Sequence, residues 1–267
     1  METVVSKFKL NNESYIIETP LRRQEVGNLL FNYFRGAIGT RLCSIDLDAA
    51  SYGNRQISRI DNYVIKQSDK AQQEFKRTLK AETITDITPI AGGLLRGEYT
   101  TGGLVALEFF DGIPPINLNA SKLNDAHREK ILKGILFAMG KLHLGNMKEI
   151  ILHRDGHLGN FIVIPNPNDK EHLLKTNDML EIRVIDLEKA LIVKFNKKML
   201  NEMAYDLIIT FNQLIYSGFI KAEEVWNKID YYLEANSRLE RNEFIQVMRE
   251  EIPKHKKFKK INEALEF

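Results

Sequence analysis

The chain has a single cysteine, Cys43, among its 267 residues. One cysteine has no partner within the chain, so an intramolecular disulfide framework is excluded and a reducing compartment is the natural setting. Neither sign of charge dominates, with 38 Lys and Arg against 36 Asp and Glu. This balance does not supply the broad basic surface of a nucleic-acid-binding protein, and we expect no nucleic-acid partner.

Long apolar runs are also lacking. The most apolar stretches, such as residues 134–140, are far too short to span a bilayer, and charged residues interrupt the first twenty positions. We therefore expect neither a secretion signal nor a transmembrane helix, and a cytoplasmic protein. Hydrophobic residues make up 43% of the chain, which is enough to bury a core without disulfide or metal support.

Hydrophobic spacing changes its period near residue 111, where D-G-I-P-P interrupts the chain. Before it, short alternating or β-branched runs predict strands at 15–19, 41–47, 60–66, 94–99 and 104–110, with one helix at about 70–82. After it, the apolar spacing predicts helices at 126–143, 199–216, 222–235 and 241–252, and a strand pair at 161–164 and 182–186. The pattern predicts an α+β fold with two lobes, a small strand-rich N-lobe over 1–110 and a larger helical C-lobe over 111–267.

The segment with the most chemical content is L-H-R-D-G-H-L-G-N-F at residues 152–161. It places Asp155 and Asn160 in the H-R-D-x-x-x-x-N spacing of the catalytic loop of phosphotransferases. An aspartate that accepts a hydroxyl proton and an asparagine that binds a metal must project from one short loop. Asp186 ends a hydrophobic strand downstream, and with Asn160 it would supply the oxygen ligands that Mg²⁺ prefers.

A second candidate element is the sequence Y-V-I-K, which ends at Lys66. A strand-borne lysine of this type neutralises the α and β phosphates of a nucleotide. A carboxylate on the following helix is expected to orient it, and Glu74 and Glu82 are both candidates. We favour Glu74, because it lies early enough in the helix to leave room for the turn at Thr88 and Pro89.

Taken in order, these elements resemble the protein-kinase-like superfamily over residues 62–206. The sequence V-I-D-L-E-K-A at 184–190 is similar to the V-I-D-L-H-R-A signature of bacterial lipopolysaccharide-core sugar kinases, and residues 155–160 are similar to the D-x-H-x-G-N loop of aminoglycoside phosphotransferase-like kinases. The resemblance implies one bilobal kinase-like domain that uses ATP and Mg²⁺. It also implies roles for individual residues: Asp155 as the base, Asn160 and Asp186 as magnesium ligands, Lys66 as the phosphate clamp, the backbone of Glu108, Phe109 and Phe110 as the adenine contact, and Asp206 as a brace for the catalytic loop.

The chain departs from the kinase pattern in three ways. No G-x-G-x-x-G precedes Lys66, and only the looser residues 36–39 and Gly53 are available as a phosphate-covering loop. D-L-E replaces D-F-G at Asp186. Only seventeen residues, with no Ser or Thr, separate Glu188 from Asp206. Protein kinases bind peptides and are switched by phosphorylation in that segment, so its brevity favours a non-peptide acceptor.

These features predict a kinase that transfers the γ-phosphate of ATP to a hydroxyl acceptor. By resemblance, the acceptor is a sugar of a bacterial lipopolysaccharide core or another small molecule. Two alternatives stay open: a protein serine/threonine kinase with a short activation segment, and a nucleotide-binding pseudokinase, which the missing glycine motif suggests.

Several other polar residues have simpler interpretations. We interpret His143, His153 and His157 as structural, and Glu82 as a solvated acid at the end of a helix. Glu188 is either a second metal ligand or a carboxylate that pairs with Lys189 or solvent. The basic run at 254–260 is first a solvated segment, and peripheral contact with anionic lipid of the inner membrane is the alternative.

Overall fold

The computed structural model describes residues 1–10, 12–39, 57–100, 102–146, 148–164, 180–255, 258 and 261–262, with side chains except at 37–39. The predicted strand at 41–47 and Gly53 lie outside the described residues. The chain divides into two compact units, Met1–Thr83 with Pro89–Phe110 (unit 1) and Ile84–Thr88 with Asp111–Phe267 (unit 2). Residues 84–88 belong to unit 2, where the Val184 amide donates a hydrogen bond to the Ile87 carbonyl at 2.9 Å.

Unit 1 is an antiparallel sheet with two helices. In the described residues the sheet has six strands in the order β1-β2-β5-β6-β4-β3. The elements, in chain order, are β1 Thr3–Leu10, β2 Glu13–Pro20, α1 Glu25–Gly39, β3 Ile57–Ile60, β4 Tyr63–Ser68, α2 Ala71–Ala81, β5 Ala91–Gly97 and β6 Gly103–Glu108.

The two helices of unit 1 pack on opposite faces of this sheet. Successive strand residues point to opposite faces, and the neighbours Leu94 and Leu95 belong to different apolar clusters. Leu95 and Ile65 pack with Leu30 of α1 in one cluster, whereas Leu94 packs with Phe75 of α2 in the other. Because Ile65 faces α1, the next residue on β4, Lys66, faces α2.

The sequence interpretation missed helix α1. Its apolar residues Val26, Leu30 and Tyr33 recur at helical spacing and pack against the sheet, but strand signals on either side obscured them. The helix runs through Gly36 to Gly39, so these glycines are not a phosphate-covering loop. The predicted strand at 60–66 was also wrong in extent: the chain reverses between β3 and β4 at Asp61, which has a left-handed φ of 52°.

Glu82 is not a solvated acid, contrary to expectation. Its side chain is 5% exposed and accepts hydrogen bonds from Arg23 Nη1 and Nη2, each at 3.0 Å. It also accepts a short hydrogen bond from the Ala91 amide at the start of β5. Glu82 therefore joins the end of α2 to two other parts of unit 1, and it is not available to pair with Lys66.

Unit 2 is mainly helical. Its elements are α3 Asp125–Leu144, β7 Glu149–Leu152, β8 Phe161–Ile164, β9 Glu181–Val184, β10 Leu191–Lys194, α4 Met199–Tyr216, α5 Val225–Ala235 and α6 Arg241–Glu251. An antiparallel sheet followed by a helical part confirms the predicted α+β class. Among the helices that the structure describes, none combines the length and the hydropathy needed to cross a bilayer.

Two short antiparallel ladders in unit 2 position the candidate catalytic residues. β7 pairs with β10 through Leu152 and Leu191, and β8 pairs with β9 through Phe161 and Val184. The 153–160 loop connects β7 to β8, and the 185–190 loop connects β9 to β10. Each loop therefore starts on one ladder and ends on the other, and the two loops must lie side by side.

The described part of the basic run is anchored rather than extended. Lys254 and His255 both bind the Glu251 carboxylate, at 2.8 Å each, and Phe258 is buried. The other four lysines of the run lie outside the described residues. Contact of this segment with a membrane remains a prediction.

Phe75 supplies a test of the core of unit 1. It is 0% exposed, so Phe75→Ala should lower the free energy of unfolding by about 3–5 kcal/mol through lost burial and a residual cavity. Tyr99 is 93% exposed, and Tyr99→Ala should change that free energy by less than about 0.5 kcal/mol. Urea unfolding measures both. Equal effects of the two substitutions would contradict the packing described for α2.

Candidate active site

A buried carboxylate, Asp206 of α4, organises the 153–160 loop. It is 0% exposed and accepts hydrogen bonds from the backbone amides of His153 at 2.5 Å and Arg154 at 2.8 Å. The brace that the kinase resemblance implied for Asp206 is confirmed by these contacts. His143 of α3 lies 3.1 Å from the same carboxylate through Nε2, and its Nδ1 lies 2.7 Å from the Tyr232 hydroxyl.

Asp206 stays ionised despite its burial. Burial opposes the charge, but the hydrogen bond and charge of His143, the charge of His153 and the Arg154 amide outweigh it, so the net effect lowers the pKa of Asp206. His143 and His153 are both fully buried, and the predicted structural role of each is confirmed by its contacts.

Hydrogen bonds within the 153–160 loop hold Asn160 close to the backbone of Asp155. The Asn160 amide group donates through Nδ2 to the Asp155 carbonyl at 2.9 Å, and the His157 backbone amide donates to the same carbonyl at 2.7 Å. Nδ1 of His157 accepts the Gly159 amide at 3.0 Å, a structural role as predicted. With its nitrogen engaged, Asn160 has its side-chain oxygen as the atom able to bind a cation.

A glycine is required directly after Asp155. A Cβ at Gly156 would lie 2.3 Å from the Thr210 hydroxyl oxygen and 3.1 Å from the Thr210 backbone nitrogen. These distances are shorter than van der Waals contact, so any other residue would push the loop away from α4. Gly156 therefore lets Asp155 sit against the helix that carries Asp206.

The 185–190 loop is attached to the 153–160 loop by backbone hydrogen bonds on both sides of Ile185. The Ile185 amide donates to the Asn160 carbonyl at 2.8 Å, and its carbonyl accepts a hydrogen bond from His153 Nε2 at 2.9 Å. Asp186 follows in a left-handed conformation with φ 59°, and Arg154 has φ 65°. Such φ values are uncommon for non-glycine residues and persist where the surroundings enforce them.

The donors around these loops fit a hard divalent cation. Asp186 and Glu188 offer carboxylate oxygens from one turn, and Asn160 offers an amide oxygen from the adjacent loop. Oxygen ligands of this kind are those that Mg²⁺ prefers. Glu188 is 5% exposed, so the interpretation of Glu188 as a carboxylate paired with solvent was wrong.

Lys189 contacts a different acid from the one that we considered. Its ammonium group binds Oδ2 of Asp155 at 2.7 Å. The hydrogen bond with Asp155 raises the pKa of Lys189, burial opposes this, and the charges of Asp155, Asp186 and Glu188 raise it further. The sequence interpretation missed this role, although the position of Lys189 in V-I-D-L-E-K-A placed it beside the predicted metal ligand.

Arg154 has a partner within unit 2. Its guanidinium forms a short ion pair with Glu202 of α4 and lies 5.7 Å from the centre of the Tyr205 ring. The side chain of the H-R-D arginine is thus held by the helix that also binds its backbone. The segment from Leu187 to Glu202 passes through β10 directly into α4 and forms no long loop.

In unit 1, the predicted partner of Lys66 is confirmed as Glu74. The Lys66 ammonium lies 3.0 Å from Glu74 Oε1, and the two side chains are 9% and 0% exposed. β4 presents Lys66 toward α2, and Glu74 is in the first turn of that helix. A buried ion pair costs desolvation energy, so it is weak support for stability alone.

The Glu108–Phe110 segment differs in detail from a simple nucleobase-binding backbone. The Glu108 amide donates to the Ile90 carbonyl at 2.9 Å, and the Phe109 amide donates to the Asn62 carbonyl at 2.8 Å. The Arg59 guanidinium lies 3.7 Å from the centre of the Phe109 ring. Two of the three backbone amides in the predicted adenine contact are therefore engaged within unit 1.

Comparison with solved structures identifies the fold. The structure of WaaP in complex with acyl carrier protein matches with a TM-score of 0.52 and 15% identity, over 79% of this chain and 87% of that chain. This chain has the protein-kinase-like fold. The predicted resemblance to that superfamily is thus confirmed at the level of the fold, and a match at this identity does not extend to the reaction.

Two other solved structures match this chain with lower TM-scores. The GDP complex of wild-type aminoglycoside 2'-phosphotransferase-IIIa has a TM-score of 0.47 at 11% identity, covering 88% of this chain and 96% of that chain. The pseudokinase domain of BIR2 has a TM-score of 0.43 at 12% identity, covering 97% and 74%. A scan with protein-family models and a search of curated proteins each gave no match.

Asp206→Asn tests the brace of the catalytic loop. The substitution removes the charge and places an amide nitrogen among hydrogen-bond donors, so we expect a loss of about 3 kcal/mol in the free energy of unfolding at pH 7. Because folding lowers the pKa of Asp206, its contribution is present above the unfolded pKa and is lost as pH falls through the folded value.

The difference between wild type and Asp206→Asn should therefore shrink as pH falls below about 4, measured by urea unfolding across pH. Asp230→Asn is the control, because its ion pair with Arg241 is exposed and should contribute less than about 1 kcal/mol. A difference that does not change with pH would mean that the charge of Asp206 is not what stabilises the loop.

Proposed function

We propose that this protein is an ATP- and Mg²⁺-dependent phosphotransferase that moves the γ-phosphate to a hydroxyl group. The observation that carries the proposal is the hydrogen bonding of the 153–160 loop to the 185–190 loop, which makes the segment with Asp155 and Asn160 a neighbour of the segment with Asp186 in unit 2. The buried pair of Lys66 and Glu74 in unit 1 supports it.

Asp155 is the proposed base. It orients the acceptor hydroxyl and accepts its proton at a carboxylate oxygen as the hydroxyl oxygen attacks the γ-phosphorus atom; the bond from that phosphorus to the β–γ bridging oxygen breaks, and ADP leaves. Asp206 supports Asp155 through the loop backbone and does not take part in chemistry itself. Most of the rate enhancement would come from positioning and electrostatics, since phosphoryl transfer needs little covalent help from the protein.

Asn160 and Asp186 are the proposed magnesium ligands, and Glu188 is a further candidate from the same turn. When bound, the metal would neutralise charge on the phosphate oxygens. Lys66 would offset the remaining charge on the α and β phosphates, and Glu74 would hold the ammonium group in place. For the nucleobase, we propose Glu108–Phe110 as the contact, through groups other than the Glu108 and Phe109 amides.

The proposed acceptor is a sugar of a bacterial lipopolysaccharide core or another small molecule. It is inferred from the similarity of residues 184–190 to lipopolysaccharide-core sugar kinases, and from the direct passage of β10 into α4. That passage leaves no long segment for a peptide to bind. Labelled ATP incubated with separate glycan, lipid and protein fractions tests the acceptor, and faster labelling of protein serine or threonine would favour a protein kinase.

The pseudokinase alternative predicts binding without turnover. Thermal stabilisation by ATP with Mg²⁺, and no phosphate transfer to any of the three fractions, would support it and reject the enzyme. The absence of a glycine-rich motif before Lys66 is the feature that favours this alternative. The combination of Lys66, Asp155, Asn160 and Asp186 favours the enzyme.

Asp155→Asn tests the base. We expect phosphate transfer to fall by about 10²- to 10⁴-fold, because the amide cannot accept the hydroxyl proton, while ATP affinity changes little. Transfer is followed with labelled ATP, and affinity by calorimetry. Asp125→Asn, at an exposed position of α3, is the matched control and should leave both unchanged. Full activity of the Asp155→Asn protein would reject the assigned base.

Lys66→Met tests the phosphate clamp. Loss of the ammonium group should lower kcat/KM for ATP by about 10- to 100-fold, which corresponds to about 1.4–2.7 kcal/mol of binding to the transition state. Lys76→Met removes an exposed lysine from α2 and should be neutral. Since Lys66→Met leaves Glu74 buried without its ion-pair partner, the double variant with Glu74→Gln controls for misfolding. Unchanged kinetics in folded protein would exclude Lys66 from the site.

A further inference from the structure

Lys189 contacts Asp155, the candidate base, directly. The proposed function gives Lys189 no role. Its Nζ lies 2.7 Å from Asp155 Oδ2, and the two side chains are 60% and 31% exposed. An exposed ion pair of this kind contributes little to stability, typically about 0–1 kcal/mol. We therefore consider the effect of this ion pair on Asp155 rather than its effect on the stability of the fold.

The position of Lys189 is set by the same turn that carries the proposed metal ligands. The turn Leu187–Lys189 follows Asp186 directly and is closed by the hydrogen bond from the Ala190 amide to the Leu187 carbonyl at 3.1 Å. Asp186 and Glu188 precede Lys189 in the same turn. Asp155, which Lys189 contacts, is on the adjacent 153–160 loop.

The ammonium group contacts the Asp155 carboxylate, and two further acids, Asp186 and Glu188, belong to its own turn. The charges of Asp155, Asp186 and Glu188 each act on Lys189. Three negative groups held together repel one another, and a fixed positive charge among them lowers that cost. A divalent cation would have the same effect from the same region, so Lys189 and the metal compete for one electrostatic role.

The ion pair also restricts the base. Lys189 binds one carboxylate oxygen, Oδ2, so Asp155 is held in one orientation and a hydroxyl proton would be accepted at Oδ1. An aspartate in a loop with 31% exposure would otherwise sample several rotamers.

We propose that Lys189 is a positioning residue, whose ammonium group orients Asp155 for the acceptor hydroxyl and serves as the internal counter-ion of the acidic cluster formed by Asp155, Asp186 and Glu188. The orienting half of this proposal rests on the proposed function. The counter-ion half concerns the protein without nucleotide and is tested independently of any turnover.

The first experiment measures Mn²⁺ binding by electron paramagnetic resonance, with Mn²⁺ as the only ligand. Lys189→Met removes a positive charge from the cluster, so it should tighten Mn²⁺ binding by about three- to tenfold at low salt. Lys189→Arg keeps the charge and should bind Mn²⁺ as the wild type does. Lys194→Met, at an exposed lysine of β10, is the matched control and should have no effect. Equal affinities for wild type and Lys189→Met would overturn the counter-ion role.

The second experiment measures steady-state turnover of ATP with the acceptor fraction that the wild type uses best. Lys189→Met should lower kcat by about tenfold or more with KM for ATP within about twofold, because orientation of the base acts in the transition state. Lys189→Arg should recover part of the rate. A higher KM for ATP at unchanged kcat would instead make Lys189 a nucleotide ligand and overturn the positioning role.

A double-mutant cycle separates orientation of Asp155 from other effects of the charge. In the Asp155→Asn background, Lys189→Met should lower the residual rate much less than in the wild type. Equal losses in the two backgrounds would mean that Lys189 does not act through Asp155. If the wild type shows no turnover with any fraction, the proposed function fails with the orienting role, and the Mn²⁺ titration still decides the counter-ion role.

Discussion

The site in unit 2 depends on one buried carboxylate that ties a loop to a helix. Asp206 is fully buried, yet it is held ionised by two backbone amides and a histidine. An ionised group at this depth is tolerated only when its hydrogen-bonding capacity is used. The start of the 153–160 loop therefore cannot move without leaving this charge unsatisfied. The positions of the polar side chains farther along the loop, including Asp155, therefore depend on these hydrogen bonds to Asp206.

Asp206 fixes the start of the 153–160 loop, and the two ladders fix both of its ends relative to the 185–190 loop. Because β7 pairs with β10 and β8 pairs with β9, the loop with Asp155 and the loop with Asp186 are joined at both ends. Local motifs supply the chemical groups, and strand pairing between distant segments makes them neighbours. The left-handed φ values of Arg154 and Asp186 occur at this junction, where the backbone is held from several directions.

Motifs with a local physical cause were predictable from the sequence. The long helix α3, the strand pair β8 and β9, and the ion pair of Lys66 with Glu74 follow from spacing or from a short motif. What escaped prediction depends on tertiary partners. α1 was hidden among strand signals, and Glu82 was taken for a surface acid because Arg23, its partner, is 59 residues away. Lys189 was considered only with its neighbour Glu188, because sequence distance gave no reason to pair it with Asp155.

The closed ladder arrangement also limits how this part of the chain can diverge. An added residue in either loop must either bulge outward, which disturbs the hydrogen bonds that Asp206 and Ile185 make to the loops, or slide a strand one position along its partner. Such a shift reverses the faces of the sheet to which the side chains of that strand point, and in the four-residue strand Leu191–Lys194 it also removes one of the four pairs with β7. Away from Gly156, substitution is therefore tolerated in these loops more readily than a change of length. We therefore expect related sequences to keep the number of residues between the polar positions of the two loops more strictly than the types of most residues between them.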